Sequence, residues 1–347
     1  MTLTPFSHTL GPRDAKVVIV GECFGKDDAL VGKPFMGPSG QELTRLLRES
    51  GFSRSSCLLT NVFPFQPPGG NIEALCGPKS LAGKNYPFKQ LSQGKYILPS
   101  HFPHISRLHE ELNSFPRNIV IALGNTACWS LLGSAGISSL RGVVSQGLFG
   151  EYKVLPTYNP AAVLRNWAYR PIVLADLMKA QRESASPTIS RPERYILVSP
   201  TLYEIQQWTT IHAVPAEFLA CDIETKNGQI TEIGFASSAK HAMVIPFTSK
   251  TGVSFWPSVE EECLAWRAVE RLLTLPAEKI WQNGLYDLQY ILKFPLRVTN
   301  CTQDTMLFHH AIYPELQKGL GFLGSIYTNE SSWKLMRKDT ESEKKDD

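Results

Sequence analysis

The stretch Val17–Leu47, VVIVGECFGKDDALVGKPFMGPSGQELTRLL, constrains this chain more than any other. Val17 to Val20 is a continuous apolar run that opens into a glycine-rich loop, the pattern of a buried parallel strand. Ser39 precedes Leu43, Leu46 and Leu47 at helical spacing, with Glu42 three residues on, which predicts a capping-box helix start. A strand that runs through a glycine loop into a helix sets the loop at the carboxyl edge of an α/β sheet, where such folds bind ligands. Gly21, Gly25, Gly32, Gly37 and Gly40 leave room for a phosphate backbone or a flat ring. Glu22 and Phe35 are the chemically distinctive members, a carboxylate and an exposed aromatic in one loop. The glycine spacings of the P-loop and of the dinucleotide fold are both absent.

With 347 residues, the length favours two domains. No apolar run is long enough to span a bilayer, and the N-terminus lacks the layout of a signal peptide. Seven cysteines without a CxxC pair read as reduced thiols, so a cytoplasmic, intracellular protein is expected. The net charge of +3 divides unevenly: residues 1–185 hold 19 Lys and Arg against 12 Asp and Glu, and residues 186–347 hold 16 against 20. A basic front half suits a polyanionic partner. The Ser/Pro-rich segment SASPTISRPER, Ser184–Arg194, marks a linker, giving a first domain over 1–183, a linker and lead-in over 184–216, and a second domain over 217–330. The remainder, 331–347, ends in KDTESEKKDD and reads as a charged, disordered tail.

In the first domain, Cys57–Val62 is a second buried strand that empties into FPFQPPGG, which brings Asn61 to the ligand edge. An amide carries a donor and an acceptor together and can pair with one pyrimidine edge. A helix is predicted over 104–113, a third strand over 118–123, a further helix over 127–132, and a last strand over 152–156 that leads into Asn159-Pro160-Ala161 and Leu164-Arg165. The set Gly21-Glu22-Cys23-Phe24-Gly25, then Gly32-Lys33-Pro34-Phe35-Met36-Gly37, then TNVFPFQPP, resembles the motifs of the uracil-DNA glycosylase superfamily, in particular its GEAPG…GxPFxGxxG branch. The resemblance implies a three-layer α/β/α domain with a parallel central sheet that hydrolyses the N-glycosidic bond of uracil in DNA. Uracil would stack on Phe35 beside Gly21 and be read by Asn61, with Glu22 steadying the sugar cation or orienting water. In that family the position of Asn159 carries a His that donates to the departing base; Leu164 would be the wedge and Arg165 a phosphate clamp. Asn159, and Cys23-Phe24 where Ala-Pro is usual, argue against full activity. Cys23, Cys57, Cys76 and Cys128 lack the spacing of the iron–sulfur members, so no iron–sulfur cluster is expected.

In the second domain, the strand Phe218–Thr225 carries Asp222 and Glu224 on one face, since side chains two apart on a strand point the same way. Lys226–Gln229 predicts a hairpin turn before a return strand over 230–235. The stretch from Trp281 to Leu292 is amphipathic and sets Asn283 and Asp287 at i,i+4. A DxE strand followed by NxxxD on a helix resembles the proofreading 3′–5′ exonuclease domain of family A DNA polymerases. That implies an RNase H-like fold with a mixed sheet, and an Mg²⁺ or Mn²⁺ pair held by Asp222, Glu224 and Asp287, with Asn283 near the substrate. The further YxxxD element of that family has no match before the charged tail, where Asp339, Asp346 and Asp347 lie, so the exonuclease is expected to be incomplete.

The front half is most similar to the glycosylase-like domain of some bacteriophage DNA polymerases. The expectation is therefore a phage-type replication or repair protein in an infected bacterial host, acting on uracil-containing DNA or a primer 3′ end. A separate polymerase polypeptide would be its partner. The alternative is a catalytically silent DNA-binding or scaffolding piece of a split polymerase.

Overall fold

The computed structural model describes residues 4–82, 88–249 and 251–330. The chain divides into two compact units, one running to Ser190 and resuming at Gly321, the other Arg191–Leu320. The linker expected at 184–216 is therefore split between them. Residues up to Ser190 stay with the first unit, while the strand Tyr195–Val198 and the helix Leu202–Trp208 belong to the second. The tail expected at 331–347, including Asp339, Asp346 and Asp347, lies outside the described residues.

The first unit is built on a sheet of β1 (Val17–Cys23), β2 (Leu58–Phe63), β3 (Ile119–Leu123), β4 (Ser145–Gln146) and β5 (Lys153–Thr157) in the order β2-β1-β3-β5-β4. Neighbours among β2, β1, β3 and β5 run parallel, and β4 is an antiparallel edge. Alternate residues supply two separate cores. Val18, Val20, Val120 and Val154 face the helices Phe102–Asn113 and Asn125–Leu132. Ile19, Leu59, Ile121 and Leu155 face Pro38–Glu49 and Arg170–Glu183. This is the three-layer α/β/α arrangement expected, and it explains why each parallel strand is apolar throughout. β2 is an edge strand yet fully buried. Its free groups are taken by Leu10, which exchanges two backbone hydrogen bonds with Leu59 (3.0 and 2.7 Å), and by Arg107 further along.

Two local expectations differ. The helix Pro38–Glu49 is capped by Gly37, not Ser39, because Pro38 fits the first helical position. Glu42, 1% exposed, is drawn instead to Arg170 (3.0 Å). The helix Leu320–Tyr327 returns to the first unit. There Lys179 Nζ donates to the carbonyls of Gly142 (2.7 Å), Ser325 (2.5 Å) and Thr328 (2.6 Å), and Arg141 donates to Ser325 Oγ (2.8 Å). At Ser325 and Thr328, Lys179 satisfies carbonyls that the helix end leaves without partners.

The second unit holds β6 (Tyr195–Val198), β7 (Phe218–Lys226), β8 (Gln229–Ala236), β9 (His241–Pro246), β10 (Glu278–Trp281) and β11 (Gln303–Asp304) in the order β11-β10-β7-β8-β9-β6. The sheet is mixed, with β7-β8 and β8-β9 antiparallel and the remaining pairs parallel. Asn227 (φ 52°) and Gly228 (φ 79°) both take the left-handed conformation that a two-residue hairpin needs. Cys221, Ile223, Ile233, Phe235, Met243 and Ile245 point to one face and pack with the helix Val259–Leu273.

Candidate functional site

The carboxyl edge of the first sheet gathers Gly21, Glu22, Phe35 and Asn61. Gly21 and Asn61 are register partners on β1 and β2. A Cβ on Gly21 would come 2.2 Å from Asn61 Oδ1 and 2.7 Å from Phe35 Cζ, so the glycine is what lets the amide and the ring meet. Asn61 is 1% exposed, and neither its Oδ1 nor its Nδ2 has a hydrogen-bond partner. Buried amides are almost always paired, so an unpaired one at a ligand edge points to something that binds there.

Phe35 departs from its expected exposure: it is 6% exposed, with a positive φ of 59° that turns its ring inward over Gly21. The loop around it is tied from both sides. Asp28 accepts from the N–H groups of Gly25 (3.0 Å) and Met36 (2.6 Å), and Arg54 donates to the Phe35 carbonyl (2.9 Å). Gly40 is equally obligatory, since a Cβ there would meet the Phe35 carbonyl oxygen at 1.9 Å.

Glu22 accepts a hydrogen bond from the hydroxyl of Thr126, in the first turn of the helix Asn125–Leu132 that follows β3. Thr126 is 1% exposed, and no sequence motif singles it out. A threonine at a helix start ordinarily signals a cap, which concealed its aim at a carboxylate. Asn159 caps the short helix Pro160–Arg165, its Oδ1 accepting from the Ala161 N–H at 2.9 Å. That leaves the Nδ2 hydrogens to donate elsewhere. Leu164 is 49% exposed and Arg165 is exposed, so neither is core.

The seven cysteines are free thiols. Burial pushes Cys23 and Cys128 up to about 12 and Cys57 up to about 11, the neighbouring Glu22 and Asp28 adding to the effect at Cys23. Burial also raises Cys76.

In the second unit Asp222 and Glu224 share the open face of β7, and Asp287 Oδ1 accepts from the Ile223 N–H between them (3.0 Å). Asp222 is pushed up to about 6 by desolvation, then by Asp287 and Glu224. Asp287 is raised as well, first by burial. Among the described residues no three His, Cys, Asp or Glu side chains are gathered closely enough to hold a metal ion. Asn283 is not on a helix face with Asp287. It takes a left-handed turn (φ 61°) between β10 and the helix Gly284–Ile291, where Asp304 accepts from the N–H groups of Asn283 (3.2 Å) and Gly284 (2.9 Å).

Residues 8–179 match the model of the uracil DNA glycosylase superfamily. A type-4 uracil-DNA glycosylase from Thermotoga maritima is 31% identical over 49% of this chain and 79% of its own length. Those of Saccharolobus solfataricus and Archaeoglobus fulgidus are 28% and 29% identical, over 52% and 49% of this chain and 76% and 75% of theirs. Among solved structures, Escherichia coli RNase D aligns over 40% of this chain and 34% of its own at 13% identity and a TM-score of 0.29, which carries no argument. Through its first unit, the chain belongs to the uracil DNA glycosylase superfamily.

Proposed function

We propose that the first unit removes uracil from DNA by hydrolysing the N-glycosidic bond. The observation that carries this is Asn61, a buried amide with both polar atoms unpaired, set against Gly21 and the ring of Phe35. Side by side, its donor and acceptor complement the O4 and N3–H edge of uracil, and the ring supplies a stacking face. As the bond breaks, the sugar gains positive charge and the base negative charge. Glu22, oriented by Thr126, is the carboxylate available to steady the sugar or align water. Asn159 is the donor available to the departing base. We assign the unit no iron–sulfur cluster, because Cys23, Cys57, Cys76 and Cys128 lack the sequence spacing of the iron–sulfur members.

Incubation with uracil-containing oligonucleotides, followed by alkali, tests this reading. Strand scission at the uracil, and none in matched thymine or cytosine controls, is expected. Salt-sensitive binding without scission at enzyme excess would reduce the unit to a DNA-binding module.

For the second unit we propose a proofreading-exonuclease type of domain that takes a DNA 3′ end, as in a phage-type replication protein working with a separate polymerase polypeptide. Asp287 and Glu224 stand near enough to Asp222 to add to its raised proton affinity, and a divalent cation relieves such crowding of carboxylates. The donors are right in kind for Mg²⁺ or Mn²⁺ but are not drawn together, so no cleavage step is assigned to them. Millimolar Mn²⁺ is expected to raise the melting temperature of the wild-type chain and to leave Asp222→Asn unchanged. An equal shift in both would remove Asp222 from any cation site.

A further inference from the structure

We infer that Trp167 is a stacking platform for an unpaired nucleotide beside the target base, so that the first unit engages single-stranded DNA. The inference rests on the uracil reading of the Asn61 pocket. Trp167 is 61% exposed, although tryptophan normally buries most of its large ring. Its position is built, not incidental. The Arg170 guanidinium lies 5.1 Å from the ring centroid and is itself held by Glu42 (3.0 Å) and Glu49 (2.7 Å). One face of the indole is thus propped on a cation anchored by two carboxylates, and the opposite face is left to solvent.

The platform is continuous with the site. Asn159 caps the helix Pro160–Arg165, and the Asn166 side chain then accepts from the Ala168 N–H (3.2 Å) to open the turn Trp167–Tyr169. Tyr169 stacks on Tyr158, the residue before Asn159 (4.5 Å, 20° between planes), which ties the two ends of this segment together. Six helical residues at about 1.5 Å each separate the backbone at Trp167 from that at Asn159 by roughly 9 Å, the reach of a neighbouring nucleotide and not of the target base itself. Between them Leu164 and Arg165 are exposed, an apolar tip and a cation.

An open aromatic face recognises the face of a base, and a base presents its face only when it is unpaired and unstacked. In a duplex that face is covered by its neighbours, so Trp167 would add nothing to duplex binding. Arg165 meets phosphate in either case. The occupant this surface fits is therefore a single strand.

The test measures binding of uracil-free oligonucleotides, single-stranded and duplex, to the full chain and to Trp167→Ala and Trp167→Phe, by fluorescence anisotropy at fixed salt. Alanine is expected to weaken single-strand binding about tenfold, phenylalanine to restore most of it, and duplex binding to change less than about twofold. An equal loss on both substrates, or no loss on the single strand, overturns the proposal. Uracil release assayed in parallel separates the two readings. A platform effect without any release sinks the pocket reading alone, whereas release with no effect of Trp167→Ala sinks the platform alone.

Discussion

Replacing Asn159 with histidine is expected to raise the rate of uracil release by about 100- to 1000-fold while leaving KM little changed. Removing one preorganised donor from a developing oxyanion lowers kcat by about that factor, or roughly 2.7–4 kcal/mol, and restoring a better-placed donor reverses it. The asparagine spends its Oδ1 on the Ala161 N–H as a helix cap, so its reach is fixed by that duty. An imidazole extends further from the same Cβ and presents a ring N–H. Room is available on the strand side, because Gly124 (φ 87°) carries no side chain and a Cβ there would sit only 3.4 Å from that of Asn159. The substitution also has an opposite effect: losing the cap destabilises the unit by about 1 kcal/mol, a fall of roughly 2–4 °C in Tm for a domain of this size. Faster chemistry in a slightly less stable protein is thus the expected signature, read by single-turnover kinetics and a melting curve. An unchanged or lower rate in a folded variant would mean that position 159 does not face the departing base.

The parts of this site that were legible in the sequence are those dictated by local pattern. The apolar run of β1, the glycines after it and Asn61 at the end of a second apolar run reflect strand burial and backbone clearance, which leave marks residue by residue. The orientation of Phe35 was not legible, because its inward turn depends on Asp28 and on Arg54, which no periodicity links to residue 35. Thr126 was missed for a related reason: a hydroxyl at a helix start has a local explanation that masks a distant partner. At Asn283 the signal existed, since Asn-Gly is a turn dipeptide, but the amphipathic stretch around it argued for uninterrupted helix. The helix Leu320–Tyr327 is apolar enough to pack anywhere. What draws it to the first unit is a pair of buried cations, Arg141 and Lys179, more than 140 residues earlier in the chain.

Arg107→Met is expected to destabilise the first unit by about 3–5 kcal/mol, a fall on the order of 10 °C in its melting transition. The guanidinium is 2% exposed on the helix Phe102–Asn113, where it donates to Glu111 Oε1 (2.7 Å) and to the carbonyls of Asn61 (2.5 Å) and Val62 (3.1 Å). Glu111, fully buried, also accepts from the Phe6 N–H (2.8 Å) and the Thr60 hydroxyl (3.0 Å). Methionine fills much of the volume but leaves a buried carboxylate without its counter-charge and removes the donor that Arg107 supplies to the Asn61 and Val62 carbonyls. Adding Glu111→Leu to Arg107→Met is expected to recover part of the loss, because the unpaired charge goes while the bonds from Arg107 to the strand carbonyls stay lost. The size of that recovery divides the effect between ion pair and backbone clamp. The clamp matters for function, since Arg107 fixes the strand position from which the Asn61 amide is presented. Uracil affinity should therefore remain impaired in the double variant even where stability returns. A loss below about 1 kcal/mol for Arg107→Met, the range of an exposed pair, would show that the network behind Asn61 does not hold the edge of the sheet.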